Sequence, residues 1–103
     1  MITEDIEVVK KIFSIIDAGI VDGYDYFCYD VEVGDGFIDT GLAVEREGIE
    51  VTDARTHFDD TALYMLAKQL NKNAKDRGEC WRSFVMSYRR GGQVKTSFNY
   101  DEK

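Results

Sequence analysis

The sequence predicts an α+β fold, a two-layer sandwich in which two helices cover one face of a mainly antiparallel sheet. Two segments carry apolar residues at spacings of three and four, which is typical of amphipathic helices. The other segments alternate between apolar and polar residues, as half-buried strands do, and glycine-containing turns separate them. The predicted order is α-β-β-β-α-β-β. At 103 residues, with no proline and no visible linker, we expect a single domain over residues 1–103.

The first predicted helix spans residues 3–18. Thr3 is a suitable N-cap, Glu4 and Asp5 lie in the first turn where the helix dipole favours acids, and Gly19 follows its end. The apolar stripe that docks this helix on the sheet consists of Ile6, Val9, Ile12, Phe13 and Ile16.

Period-two alternation follows in residues 24–33, "YDYFCYDVEV". The side predicted to face the helices carries Phe27, Tyr29, Val31 and Val33. The opposite side carries Tyr24, Tyr26, Cys28, Asp30 and Glu32. The turn "GDG" leads into a return strand over 37–44 that points Phe37 and Asp39 outward, and residues 49–51 begin a third, shorter strand. Together these segments predict a β-meander.

The second predicted helix spans residues 59–77, with Asp59 or Asp60 as its cap and Gly78 at its end. Residues 81–100 form a hairpin around Gly91 and Gly92. Trp81 opens this hairpin, at a position where a large ring can close one end of the core.

The charge balance restricts the classes of partner. Twenty acids against thirteen bases give a net charge of −7, which disfavours nucleic acid and anionic membranes and suits a basic protein. No apolar run is long enough to span a membrane, and the N-terminus lacks the features of a signal peptide. Cys28 and Cys80 do not form a CxxC pair. We therefore expect a cytoplasmic protein with two free thiols.

The sequence predicts no catalytic residues and no cofactor. The single histidine, His57, has no nucleophile at a spacing that would pair with it, and the glycines show no phosphate-binding pattern. Four acids, Asp30, Glu32, Asp35 and Asp39, are oxygen donors of the kind that calcium or magnesium binds, although the EF-hand spacing is absent. A small metal-binding or enzymatic domain built on these acids is one alternative, and a self-associating scaffold domain is another.

The mixture of acids and aromatics on the outward side of the first two strands predicts a partner-binding surface. Tyrosine and phenylalanine supply apolar area for an interface, and the surrounding carboxylates suit a basic protein. The predicted partner-binding residues are Tyr24, Tyr26, Asp30, Glu32, Asp35, Phe37 and Asp39. The same surface could instead be covered by the protein's own chain or by a second copy.

A family resemblance adds to this interpretation. Trp81 opens an alternating strand, "RRGGQ" forms the turn, and "FNYDE" at 98–102 closes the chain. In these elements, and in the order of its helices and strands, the chain resembles the YezG-like immunity proteins. The resemblance implies a cytoplasmic antitoxin that neutralises a cognate secreted toxin, often a nuclease, without catalytic activity of its own. Separately from the resemblance, we expect a monomer or weak dimer in the absence of the toxin.

Overall fold

A computed structural model describes residues 3–34, 36–51 and 55–100. The predicted site residue Asp35, the side chains of Thr3 and Glu4, and the acidic residues 101–102 lie outside the described part. Within that part, neither helix is long and apolar enough to cross a membrane.

The elements follow the predicted order α-β-β-β-α-β-β, and the α+β fold is confirmed. Their bounds are α1 (Thr3–Gly19), β1 (Tyr26–Gly34), β2 (Phe37–Arg46), β3 (Ile49–Val51), α2 (Asp60–Asp76), β4 (Trp81–Arg89) and β5 (Lys95–Tyr100). The sheet has five strands in the order β3-β2-β1-β4-β5, and every neighbouring pair is antiparallel. The strand β1 therefore lies at the centre of the sheet, while β3 and β5 form its edges.

The core lies between the helices and one face of the sheet. Register alignment places Phe27 of β1 opposite Val44 of β2 and Tyr88 of β4, so their side chains point to the same face. On this face the ring of Phe13 in α1 packs edge-on against Tyr88 at 5.0 Å between centroids. Trp81 is buried as predicted, which places its ring at one end of the core.

The stripe of α1 differs from the prediction at its first turn. Ile6 is 40% exposed, whereas Asp5 is only 4% exposed. Asp5 precedes Val9 by four residues, so it continues the buried stripe that Val9, Ile12 and Ile16 form. The carboxylate of Asp5 thus takes the place in the buried stripe that we expected Ile6 to take.

Both ends of α2 are capped by local hydrogen bonds. The carboxylate of Asp59 accepts from the backbone N–H of Ala62, as predicted for an N-cap. At the other end Gly78 has a φ of 82°, a conformation that glycine adopts without strain. The backbone N–H of Glu79 donates to Ala74 and that of Gly78 donates to Lys75, which forms a Schellman motif. This motif fixes the direction in which Glu79 leaves the helix.

Candidate functional site

The sheet face opposite the helices is open to solvent in the described chain. We call it the open face; it carries the outward side chains of all five strands. On the central strand β1 these side chains are Tyr26, Cys28, Asp30 and Glu32, as the alternation predicts. Asp30 and Glu32 are exposed, while Tyr26 and Cys28 are half-buried among their neighbours.

Three carboxylates cluster on two neighbouring strands of the open face. Glu32 of β1 lies directly opposite Asp39 of β2, and Asp30 lies opposite Gly41 on the same face. All three acids are exposed, and among the described residues no lysine or arginine forms an ion pair with any of them. We refer to Asp30, Glu32 and Asp39 as the acidic triplet. Three predicted site residues are thus brought together by the register of β1 and β2.

The acidic triplet reduces the stability of the sheet. Like charges directly opposite each other destabilise a strand pair, which applies to Glu32 and Asp39. Gly41 gives the Asp30 carboxylate room to lie across β2, because a β-carbon at Gly41 would come within 2.6 Å of Asp30 Oδ1. The three negatively charged carboxylates attract a nearby cation, so this part of the face suits a positively charged partner.

Positive charge lies on the other half of the open face. Arg89 of β4 is the register partner of Tyr26, and its guanidinium lies 4.8 Å from the centre of that ring. Arg89 Nη2 also lies 3.8 Å from Glu45 Oε1 on β2. Lys95, which is exposed on β5, follows on the same face opposite Ser87. The open face is therefore acidic on β1 and β2 and basic on β4 and β5.

The predicted position of Tyr24 on this face is wrong. Tyr24 is 3% exposed and precedes β1, which begins at Tyr26 after a bend. Its hydroxyl donates to the carboxylate of Asp17 in α1, and its ring packs edge-on against Phe27 at 5.3 Å between centroids. Burial, reinforced by Asp17, raises the pKa of Tyr24 above its ordinary value. Tyr24 belongs to the junction between α1 and the sheet.

Arg90 holds this junction from the other side. Its Nε donates to the backbone carbonyl of Tyr24 at 2.6 Å, and its guanidinium lies 4.4 Å from the centre of the Tyr24 ring. The backbone N–H of Arg90 donates to the carbonyl of Asp25. Arg90 is thus engaged with the entry to β1, in contrast to Arg89 on the open face.

Two aromatic residues of the predicted site do lie on the open face. Tyr26 is half-buried against Arg89, and desolvation together with Cys28 raises the pKa of its hydroxyl. Phe37 is 50% exposed, and its ring lies against Gly34 at the turn between β1 and β2. Phe37 therefore offers the larger apolar area for a partner to cover.

The structure also bears on the metal and nucleophile alternatives. Within residues 3–34, 36–51 and 55–100, no three His, Cys, Asp or Glu side chains are grouped as a metal site would require. Asp35, the fourth acid of the metal alternative, is not among those residues. The thiols of Cys28 and Cys80 are free, as expected, and His57 is exposed in the segment before α2.

A second feature, which we did not predict, lies beside the edge strand β5. It is a cleft of about 260 Å³ between β5 and the helix layer, and we call it the β5 cleft. The helix-facing side chains of β5 and the Trp81 ring form its walls, with centroids of Trp81 and Phe98 5.3 Å apart. Tyr100, at the end of β5, is 53% exposed at its rim.

A charged group also lines the β5 cleft. Arg77 Nη2 donates to Asp5 Oδ2 at 2.8 Å, and Arg77 Nε donates to Glu79 Oε2 at 2.9 Å. The Asp5 carboxylate also accepts a hydrogen bond from the side-chain amide of Asn73 at 3.3 Å. The hydroxyl of Tyr100 reaches the other oxygen of Glu79 at 3.4 Å. These contacts connect the start of α1, the end of α2 and the end of β5.

The electrostatics of the cleft follow from these contacts. The hydrogen bond that Arg77 donates lowers the pKa of Glu79, and the hydrogen bonds that Glu79 and Asp5 accept raise the pKa of Arg77. Arg77 and Glu79 are therefore charged at neutral pH, and among the described side chains of the cleft two formal negative charges, on Asp5 and Glu79, face one positive charge on Arg77. The sequence signal for this feature was Asp5 itself, a carboxylate at a stripe position of α1.

The open face and the β5 cleft present charged and aromatic groups to solvent, which is the composition of a binding surface. A scan against models of known protein families and a search of curated proteins both found no match to this chain.

Proposed function

We propose that this protein is an immunity protein that binds and neutralises a cognate protein toxin through the acidic side of its open face. The acidic triplet is the observation on which the proposal depends, because three exposed carboxylates without ion-pair partners in the described chain lie together on adjacent strands. The resemblance to YezG-like immunity proteins gives the proposal its biological role. In this role the protein needs no catalytic group, since it acts by occupying the toxin.

The charge of the protein supports a basic toxin, such as a nuclease domain with a phosphate-binding cleft. The net charge of −7 attracts such a partner over distances of about one Debye length, which is roughly 8 Å at physiological salt. Complementary fields of this kind raise association rates from about 10⁵–10⁶ to as much as 10⁸–10⁹ M⁻¹s⁻¹ at low salt. An antitoxin benefits from fast association because the toxin acts as soon as it is free.

Aromatic residues at the two ends of the acidic triplet would then hold the complex together. Phe37 is half exposed at the turn end of β1 and β2, and Tyr26 is half-buried at the opposite end. Burial of such rings mainly slows dissociation, whereas charges mainly speed association. The basic half of the open face, with Arg89 and Lys95, would exclude the most basic part of the toxin and so set its orientation.

The test begins with a candidate toxin encoded in the neighbouring reading frame, purified with and without this protein. The double variant Asp30→Lys/Glu32→Lys should associate more slowly and lose most of its salt dependence. The matched control is Glu7→Lys/Asp76→Lys, which changes the net charge equally at exposed positions of the two helices. Binding kinetics and rescue of growth on co-expression are the two readouts.

Each outcome decides the proposal. Loss of rescue and slower association only for the open-face variant would support binding through the acidic triplet. Equal effects of the two double variants would show that net charge alone matters and would overturn the site. A protein that fails to protect against the toxin and does not bind it would overturn the immunity role. Phe37→Ala should speed dissociation, and it should weaken the binding free energy by about 2 kcal/mol if Phe37 is a hot spot.

A further inference from the structure

The edge strand β5 is a place where another strand can add to the sheet. Among the described residues β4 is its only strand neighbour, so the backbone groups along its other side have no ladder partner there. Its six residues, Lys95–Tyr100, contain no proline and one charge, at the first position. Edge strands that avoid association usually carry prolines, charges or bulges along their length. The ladder between β4 and β5 has a register shift between Trp81 and Ser83, at the end where β5 reaches Tyr100, and is regular from Ser83 to Ser87. The opposite edge, β3, is only three residues long.

The β5 cleft lies directly beside this edge on the helix side. Its wall includes Thr96, Phe98 and Tyr100, the residues of β5 that alternate toward the helices. A strand added to β5 would point every second side chain toward the same side of the sheet. One of those side chains would therefore meet the cleft. Its volume of about 260 Å³ is below the roughly 300–1,000 Å³ of typical small-molecule pockets, which favours a single side chain.

The residues that line the cleft favour a particular charge on the side chain that enters it from the added strand. Both hydrogen-bonding sides of the Arg77 guanidinium are already occupied, by Asp5 and by Glu79. Among the described side chains one formal negative charge is left unmatched, and the rings of Trp81, Phe98 and Tyr100 line the same cleft. Aromatic faces attract cations, and the long stems of lysine and arginine pack well against such rings. A cationic side chain thus fits the cleft better than an anionic or neutral one.

We propose that β5 and the β5 cleft bind an extended segment of a basic partner protein, which adds as a sixth strand and places a lysine or arginine in the cleft. The backbone of the segment pairs with β5 and supplies affinity, while the cleft supplies specificity. This surface is separate from the acidic triplet. The proposal goes beyond the immunity role, because binding at β5 depends on an extended segment with a lysine or arginine and does not require the partner to be a toxin.

A second copy of this chain is a poorer occupant. Two-fold pairing of β5 with itself brings together two chains of net charge −7. It also places two acidic clefts side by side without supplying a cation to either. Stable interfaces bury about 1,200–2,000 Å² in total, and a pair of six-residue strands contributes only part of such an area. Charge complementarity therefore favours the basic segment.

The experiment uses synthetic peptides and the full chain labelled with ¹⁵N. The probe is an acetylated and amidated peptide of alternating threonine and valine with one central lysine. Two matched peptides carry norleucine or glutamate in place of the lysine. We expect the lysine peptide to shift the amide resonances of β5 and the indole resonance of Trp81 and to protect β5 amides from exchange. It should bind at least about fivefold more tightly than the norleucine peptide, as a cation–π contact of about 1 kcal/mol gives.

A pair of protein variants tests the cleft itself. Glu79→Gln should weaken binding of the lysine peptide and leave the norleucine peptide unchanged. Glu50→Gln, which removes an equal charge on the opposite edge strand β3, should change neither. Thermal unfolding of each variant checks the fold, and the comparison of the three peptides on the unchanged protein does not depend on any variant.

Five results would overturn the proposal. The first is equal binding of the lysine and glutamate peptides, and the second is absence of binding at millimolar peptide. Resonance shifts centred on Asp30 in place of β5 would assign the peptide to the acidic triplet. Binding that appears only after removal of residues 101–103 would show that the chain's own end occupies the cleft. Shifts of β5 resonances that depend on protein concentration without peptide would indicate pairing of two copies, which would also contradict it.

Discussion

Glu32 on β1 and Asp39 on β2 lie directly opposite each other, so two negative charges share one cross-strand position on the open face. Such pairs destabilise a sheet by roughly 0.2–1 kcal/mol. We expect Asp39→Asn to raise the free energy of unfolding by about that amount at low ionic strength, and by less at high ionic strength. Urea unfolding at two salt concentrations measures the difference.

The control for this prediction is Asp76→Asn on α2. Asp76 pairs with Lys72 at 2.8 Å, so its neutralisation removes an attraction and should bring no gain in stability. If Asp39→Asn proved less stable than the unchanged protein, Asp39 would have a favourable contact that outweighs its repulsion from Glu32.

Tyr24 and Tyr26 should differ sharply in their effect on stability, although they are two residues apart. Tyr24→Ala removes a buried ring and its hydrogen bond to Asp17, so we expect a loss of about 3–5 kcal/mol. Tyr26→Ala removes a half-buried ring from the open face and should cost roughly 1–2 kcal/mol. Urea unfolding of both variants tests this order, and equal losses would contradict the burial of Tyr24.

The difference between these two tyrosines shows where alternation along a strand stops being informative. Within β1 the pattern placed Asp30 and Glu32 on the correct face, because regular strand geometry fixes each side chain relative to its neighbours. Asp25 lies before the strand and is held by distant groups: its N–H donates to Glu45 and its carbonyl accepts from Arg90. These contacts bend the chain, so counting by twos back to Tyr24 gave the wrong face.

The two candidate sites also differ in whether the sequence could predict them. The acidic triplet could be predicted because one tight turn joins β1 to β2, which makes its register a local property of the sequence. The β5 cleft could not be predicted, because Arg77 reaches Asp5 across 72 positions and Tyr100 reaches Glu79 across 21. A local pattern can mark Asp5 as a carboxylate on the stripe of α1, but it does not identify the distant residues that Asp5 contacts.

The stability of the protein should fall in alkaline solution as Tyr29 ionises. Burial, with the negative charges nearby as a smaller cause, raises the pKa of Tyr29 to about 12 from an ordinary value of 10.0. The unfolded chain loses this proton first, so the stability that is complete below pH 10 declines as the pH rises toward 12. Tyr29→Phe should make that decline shallower.

Urea midpoints between pH 9 and 12 measure this effect, compared between the unchanged protein and Tyr29→Phe. Absorbance titration of the tyrosines gives an independent check, because in urea-unfolded protein all six should ionise near the ordinary value of about 10. An alkaline decline that is identical in Tyr29→Phe would assign it to other groups, of which Tyr24 is the first candidate because its pKa is also raised.

The two free thiols should react at different rates. Cys80 is exposed in the segment before β4, whereas Cys28 is half-buried on the central strand β1 between Ala43 and Ser87. We expect a chromogenic disulfide reagent to modify Cys80 quickly and Cys28 slowly, since access limits the reaction. Cys80→Ser should abolish the fast phase and Cys28→Ser the slow one. Reaction of both thiols in a single fast phase in native buffer would contradict the packing of β1.

Asp5 and Arg77 form an ion pair, but replacing one of them should destabilise the fold more than replacing the other. The Asp5 side chain is 6% exposed, whereas that of Arg77 is 25% exposed and also binds Glu79. Arg77→Met therefore leaves a buried carboxylate without its cation, which is the more costly change. Asp5→Asn removes the buried charge and keeps a polar group that Asn73 and Arg77 can still contact.

We expect Arg77→Met to lower the free energy of unfolding more than Asp5→Asn does. The double variant Asp5→Asn/Arg77→Met should be more stable than Arg77→Met alone, because neutralisation of Asp5 relieves the penalty that the lost guanidinium creates. Urea unfolding of the three variants gives the double-mutant cycle. If Arg77→Met proved the milder change, the Asp5 carboxylate would have to be satisfied without Arg77, either by Asn73 or by water that enters the β5 cleft.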